Sequence, residues 1–236
     1  MPGTFLLLAW STFLPGQTGP SDSPSIPRTV QEAALRATVR ILDGGGGGTG
    51  SGVIVGRGGP FVYVLTAGHV VGQAERVTVQ TFSSQEPRKV ANVFAGARVV
   101  ARSQPDQDLA LIRLTMGEEP PGVLRICPPE KAPPGKKPFR VLACHCQADG
   151  LPVCQEEEVI GKKRVHRPEA AAAIPLWEVK RRPLKGHSGG ALADERGYLL
   201  GICSGASGGK GYYVPPETIQ AFLKTNGYPW LCQQSP

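Results

Sequence analysis

Gly186-His187-Ser188-Gly189-Gly190 is the segment of this 236-residue chain best equipped to do chemistry. A serine hydroxyl is a useful nucleophile only when a base takes its proton. The oxyanion made on attack then needs backbone N–H donors that no side chain screens. Glycines on both sides of Ser188 supply that access, although a plain Gly/Ser turn between strands would read the same way. Thr66-Ala67-Gly68-His69-Val70 ends an apolar run that starts at Phe61, so His69 stands just past a rigid strand and can be aimed. An ordinary turn histidine is the plainer reading. Asp108 immediately precedes the apolar run Leu109-Ala110-Leu111-Ile112. It is either a strand-end cap or the acid that accepts an imidazole N–H, fixes the tautomer and stabilises the imidazolium. Each segment alone is ambiguous. Together they run in the order His69, Asp108, Ser188 and carry a nucleophile, its base and an orienting acid.

The elements that must hold these residues are short strands. GVIVG, FVYVLTA, RVTVQTF, KVANVFA, ARVVARS and DLALIRL are rich in β-branched and aromatic residues and are punctuated by Gly, Pro, Asp or Ser. This spacing predicts an all-β sandwich or barrel. Ahead of them, QEAALRA is helix-compatible and runs into VRIL, a first strand, and Gly44 to Gly48 reads as a surface turn. Gly117 to Pro138 is too proline-dense for a central strand and reads as a link. A second unit follows: FRVLACHC, a turn at Asp149-Gly150, PVCQEEEVIG, LWEV, GALADERGYLLGIC and GYYV. After Pro215-Pro216, ETIQAFLK places Ile219, Phe222 and Leu223 on one face of a short helix. No repeat of 20 to 50 residues is present.

Composition narrows the function classes. Hydrophobic residues at 40% against charged residues at 19% fill an ordinary core, which excludes general disorder. No apolar run reaches the ~18 residues of a membrane-spanning helix. Lys and Arg total 26 against 19 Asp and Glu, a net charge of +7. Lys162 to Lys185 carries eight basic and two acidic residues and leads directly into the nucleophile segment. It reads as a solvated basic loop, as a steering surface for acidic peptides, or as a polyanion dock. With aromatics at 6% and no recognition motif, nucleic acid is not the expected partner. Residues 1–20 have an apolar centre from Phe5 to Leu14 followed by a Pro/Gly break, the pattern of a secretory signal peptide without the usual basic start or Ala-x-Ala site. Export would carry the six cysteines into an oxidising compartment. Cys154 is then expected to pair across a hairpin with Cys144 or Cys146, ahead of free thiols or zinc.

T-A-G-H-V, D-L-A-L and G-H-S-G-G resemble the three catalytic motifs of the chymotrypsin-type (trypsin-like) serine proteases. The resemblance covers Gly50 to about Lys224, and the chain order separates it from subtilisin-like and α/β-hydrolase enzymes. G-T-G-S-G-V-I-V from Gly48 and G-I-C-S from Gly201 with G-Y-Y-V-P from Gly211 are similar to bacterial HtrA/DegP-type domains, with no PDZ domain expected after the helix. The resemblance implies an all-β chain of two six-stranded antiparallel β-barrels, with the site in the cleft between them and a C-terminal helix packed on the first. The expected division is signal peptide 1–20, polar leader 21–32, first barrel 33–122, linker 123–138, second barrel 139–215, and helix and tail 216–236.

By position, the resemblance makes His69, Asp108 and Ser188 catalytic and gives Gly186 and Ser188 the oxyanion N–H groups. Ser204 would lie beneath the His69–Asp108 pair, and Cys203, Ser204, Gly205 and Ala206 would line the substrate edge, where peptide adds as a strand. Arg182 falls at the floor of the primary pocket. Pointing inward it would select Asp or Glu, whereas pointing outward, the preferred reading, it would leave a pocket for modest apolar side chains. His187 replaces the aspartate that pairs with a freshly cut N-terminus in digestive relatives, so activation by that route is not expected. The expected activity is that of an exported serine endopeptidase acting on polypeptides, acidic ones included, without metal or organic cofactor. Assembly into homo-oligomers, as in HtrA-type enzymes, is compatible with the sequence. The alternatives are a catalytically silent, protease-like binding module and a polyanion-binding protein.

Overall fold

The structure, a computed structural model, describes residues 25–43, 48–86, 88–167 and 172–233. The signal segment expected at 1–20 and most of the Gly44–Gly48 turn lie outside the described residues. Helix α1 (Arg28–Ala37) leads into β1 (Thr38–Asp43), β2 (Thr49–Gly58), β3 (Phe61–Ala67), the single turn α2 (Gly68–Val71), β4 (Arg76–Phe82), β5 (Val90–Arg102) and β6 (Leu109–Thr115). The short β7 (Arg125–Ile126) precedes β8 (Phe139–Cys146), β9 (Pro152–Val165), β10 (Ile174–Val179), β11 (Ala191–Ala193), β12 (Tyr198–Ser207), β13 (Lys210–Val214) and α3 (Pro216–Thr225).

The first six strands close a barrel in the order β1-β2-β3-β6-β5-β4. Side chains alternate between the two faces of a strand, so Val39, Ile41, Ile54, Val62, Val64, Ala110 and Ile112 fill its interior. Their neighbours Val53, Val55, Tyr63, Leu65, Leu109 and Leu111 fall in a second cluster shared with β12, α3 and the other barrel. FVYVL therefore reads as an unbroken apolar run because β3 is buried on both faces. KVANVFA and ARVVARS, expected as two strands, are one continuous β5. Gly96, at φ +76°, lets that strand bulge against β4 rather than end, and the register shifts between Val77 and Val79.

The second barrel runs β11-β8-β9-β10-β13-β12 and closes through β11 pairing with β12, while β7 adds to β12 in parallel on the outside. Trp177 is fully buried at its centre, donates from Nε1 to Leu200 O at 3.0 Å, and meets Phe139 edge to face. The segment after Lys162 is not a loop at its start. β9 continues to Val165, with Lys162 opposite Trp177, and the Lys162 ammonium lies 4.4 Å from the Trp177 ring centre. Cys144 and Cys154 stand directly opposite on β8 and β9 and are joined as a disulfide, leaving Cys146 a buried thiol.

Ile219, Phe222 and Leu223 of α3 enter the shared core between the barrels. The following turn carries Tyr228 and Trp230 onto Tyr63 of the first barrel, at ring-centre distances of 5.6 and 5.1 Å. The cleft opposite this seam is where α2, the segment before β6 and the loop before β11 converge.

Candidate active site

His69 sits in α2, immediately after β3. Its backbone N–H donates to Asp108 Oδ1 at 2.9 Å, and its ring Nδ1 lies 3.0 and 2.9 Å from the two Asp108 carboxylate oxygens. The carboxylate thus fixes both the backbone and the ring of the histidine, and turns Nε2 away from itself. Asp108 reaches this position through a tight loop in which Ser103 N–H donates to Leu109 O and Leu109 N–H to Ser103 Oγ. Asp108 itself has φ +52°, alone among non-glycine residues described. Aspartate tolerates this left-handed conformation better than most side chains, and strain of this kind persists where the surroundings over-determine it. Burial alone would raise the Asp108 carboxyl. The His69 ring and backbone N–H and the Ser204 hydroxyl outweigh that and hold it below the ordinary carboxylate value.

Ser204 comes from the second barrel. On β12 the register slips between Cys203 and Gly205, so Ser204 is the extra residue of a bulge and its side chain leaves the ladder. Its hydroxyl donates to Asp108 Oδ2. Gly205 and Ala206 continue this edge toward solvent, whereas Cys203 is buried beneath it, its thiol pushed up to about 12 by burial. Arg182 is exposed, and the Pro183 side chain covers Gly211 instead: a Cβ there would meet Pro183 and Val179 at 2.6 and 2.7 Å.

The nucleophile loop is pressed against β2 and β3. Gly189, at φ +80°, lies so close that a Cβ would run into Ser51 O and Thr66 Oγ1, and Ser51 N–H donates to Ser188 O at 2.7 Å. Gly189 is thereby held against Thr66 and Ala67, at the end of the strand that leads into His69, and Ser188 against Ser51. The Ser188 hydroxyl makes no hydrogen bond among the described residues, to His69 included, and contacts of this kind are often long before a substrate binds. Gly186, at φ +95°, turns its carbonyl onto Ser51 Oγ at 2.7 Å. Among the described residues neither Gly186 N–H nor Ser188 N–H has a partner. The His187 ring stacks on His145, with centres 3.3 Å apart.

A family model for the trypsin-like peptidase domain matches residues 50–202, spanning all three segments. The chain belongs to the trypsin-like peptidase family. Solved structures agree on the fold. The Rv3671c protease in its inactive form is 22% identical with a TM-score of 0.67, over 88% of this chain and 99% of that one. The active form of Rv3671c from M. tuberculosis is 21% identical with a TM-score of 0.67, over 93% and 95%. The MamO protease domain from Magnetospirillum magneticum is 24% identical with a TM-score of 0.63, over 80% and 96%. No curated protein gives a significant sequence match.

This trypsin-like peptidase domain also uses residues that sequence reasoning passed over. Ser51 is fully buried, accepts from Cys146 N–H at 2.8 Å and donates to Gly186 O, tying the first barrel to the turn that presents Gly186 N–H. Only the pattern G-S-G beside a strand hinted at it. Ser51→Ala leaves the Cys146 N–H and Gly186 carbonyl unpaired and frees the turn. The expected result is a loss of about 1–3 kcal/mol in urea unfolding and a kcat about tenfold lower at similar KM, within the range of a weakened oxyanion donor. Arg167 is the second such residue: its guanidinium donates to Ser204 Oγ and lies 3.1 Å from Asp108 Oδ2.

Proposed function

We propose that this peptidase is an exported serine endopeptidase that cleaves polypeptides through an acyl-enzyme on Ser188. His69 takes the Ser188 proton and later returns it to the leaving amine, Asp108 orients His69 and stabilises its imidazolium, and Gly186 and Ser188 N–H groups receive the oxyanion. The observation that carries this reading is the double grip of Asp108 on His69, backbone and ring, with Ser204 of the second barrel beneath it. Such a grip is what a base needs to keep one tautomer and one direction. The unpartnered N–H pair beside Ser188 supports the oxyanion role. The exposure of Arg182 supports the outward reading, with a pocket for modest apolar side chains before the scissile bond. The Cys144–Cys154 bond supports export.

The polyanion alternative loses support because half of the eight cations of the basic run are ion-paired on the surface: Lys162 with Glu217, Lys163 with Glu178, Lys180 with Glu158 and Arg181 with Glu157. Hydrolysis of an activated ester and of an unfolded protein substrate, measured for the full chain beside Ser188→Ala, tests the proposal. Both activities should be present in the parent and absent in the variant. Equal rates in the two would refute it.

A further inference from the structure

Beside His69, on the side away from the nucleophile loop, lies an open cavity of about 350 Å³ walled by Gln73, Arg102, Gln104, Asp108 and Arg167 among others. Its charged walls are two guanidiniums and one carboxylate. Asp108 is already committed to His69, Ser204 and Arg167, so the cavity offers positive charge to whatever enters.

The two arginines are held in different ways. Arg102 is anchored: Nε donates to Gly72 O at 3.0 Å and Nη2 to Ala74 O, leaving Nη1 without a partner among the described residues. Arg167 arrives from the end of β9 and leans on Asp108 and Ser204, with its side chain 21% exposed. Its Nε is buried and has no partner among the described residues. A guanidinium is a planar fork of five donors suited to a carboxylate, and here one donor is left unsatisfied, which is costly away from water. Arg167 also places a positive charge on the carboxylate oxygen that the His69 Nδ1–H shares. Its resting contact weakens the hold of Asp108 on an imidazolium, and a second carboxylate would draw it off.

We propose that Arg167, with Arg102 on the facing wall, is a carboxylate-reading subsite that selects peptides bearing Asp or Glu on the acyl side of the scissile bond. This rests on the protease reading for the direction of the peptide, since Arg167 donates to Ser204 at the head of the edge Ser204 to Ala206 where substrate would pair. The substrate carboxylate supplies the missing acceptors for Arg167, and Arg167 in turn leaves Asp108 to His69. An acidic side chain therefore both binds and improves the base.

The test uses the full chain in the Ser188→Ala background, so that binding is read without turnover. Fluorescent peptides carry a single Glu in the second, third or fourth position before the cut, each with a Gln control. At one position the Glu peptide is expected to bind about 10- to 100-fold tighter than its Gln partner, the range of a charge-assisted hydrogen bond. Arg167→Gln should bring that ratio to near one, and Arg167→Lys should restore part of it. Equal binding of every Glu and Gln pair, or a ratio that survives Arg167→Gln, overturns the proposal. Labelling of the parent chain by an uncharged fluorophosphonate is run alongside. Labelling without a Glu preference sinks the subsite and leaves the protease reading standing. A Glu preference without labelling keeps the acid-binding cleft and sinks the protease reading.

Discussion

Ser188→Ala and His69→Ala are each expected to lower kcat/KM by about 10⁴- to 10⁶-fold, and the double variant to be no slower than the slower single one. Groups that act as a unit lose their joint effect when either is removed, so the penalties do not add. Ser188 without a base keeps its proton, and His69 without a nucleophile can at best activate a water that nothing positions. Asp108→Asn should cost about 10⁴-fold, because an amide can hold His69 in the wrong tautomer and cannot stabilise its cation. Steady-state kinetics on one ester substrate for the parent and the four variants checks the set. Additive losses would mean that the residues act apart, and the geometry around Asp108 would then serve stability alone.

Acidification should begin to destabilise the protein before its carboxylates titrate. His145, on β8, packs against the backbone of Gly190 and stacks on His187, and both rings are nearly buried. Burial, and after it the nearness of His187, depresses His145 from its ordinary value near 6.5 to about 3, and burial also depresses His187. A histidine depressed in the folded state binds no proton there, while the unfolded chain binds one below about pH 6.5. Stability is thus complete above that pH and falls steadily toward pH 3. Each histidine contributes up to about 1.4 kcal/mol per pH unit, and His145 alone on the order of 5 kcal/mol across its window.

Asp108 acts in a lower range. Its depressed carboxyl stabilises the fold above its ordinary value of 3.8 and ceases to do so as pH falls through its folded value. The slope between pH 6 and 4 therefore belongs chiefly to the histidines. Urea midpoints over that range should fall steeply for the parent and about half as steeply for His145→Phe, which keeps the ring stack without the proton. An unchanged slope in His145→Phe would mean that the stacked pair is not what resists protonation. Because Gly190 rests on His145, the same acid transition should release the nucleophile loop.

The all-β class was legible in the sequence because the strands are bounded by glycine and proline and carry β-branched residues, while their closure into two barrels followed from the resemblance of three short motifs. Those motifs also pointed to His69, Asp108 and Ser188, of which the structure brings His69 and Asp108 into direct contact. Less was legible where one residue changes the local geometry. Gly96 bulges β5 where it looked like a break, and Lys162 to Val165 extend β9 because cross-strand pairing with β10 outweighs their charge. In the sequence Arg167 is one cation among the eight of a basic run. Its placement on Asp108 depends on where β9 ends relative to β12, a long-range relation that no local pattern encodes. Ser51 was silent for the same reason, acting on the nucleophile loop from 135 residues away in its contact with Gly186, and His145, which has no partner pattern in the sequence and reads as a surface residue, is buried by its stack on His187.

The most direct measurement is the intact mass of the full chain after exposure to an uncharged fluorophosphonate, followed by peptide mapping of the adduct. One adduct per chain is expected, located on Ser188, and none in His69→Ala. A folded protein that takes no adduct, or takes it on another residue, or is labelled equally without His69, would contradict the proposed mechanism.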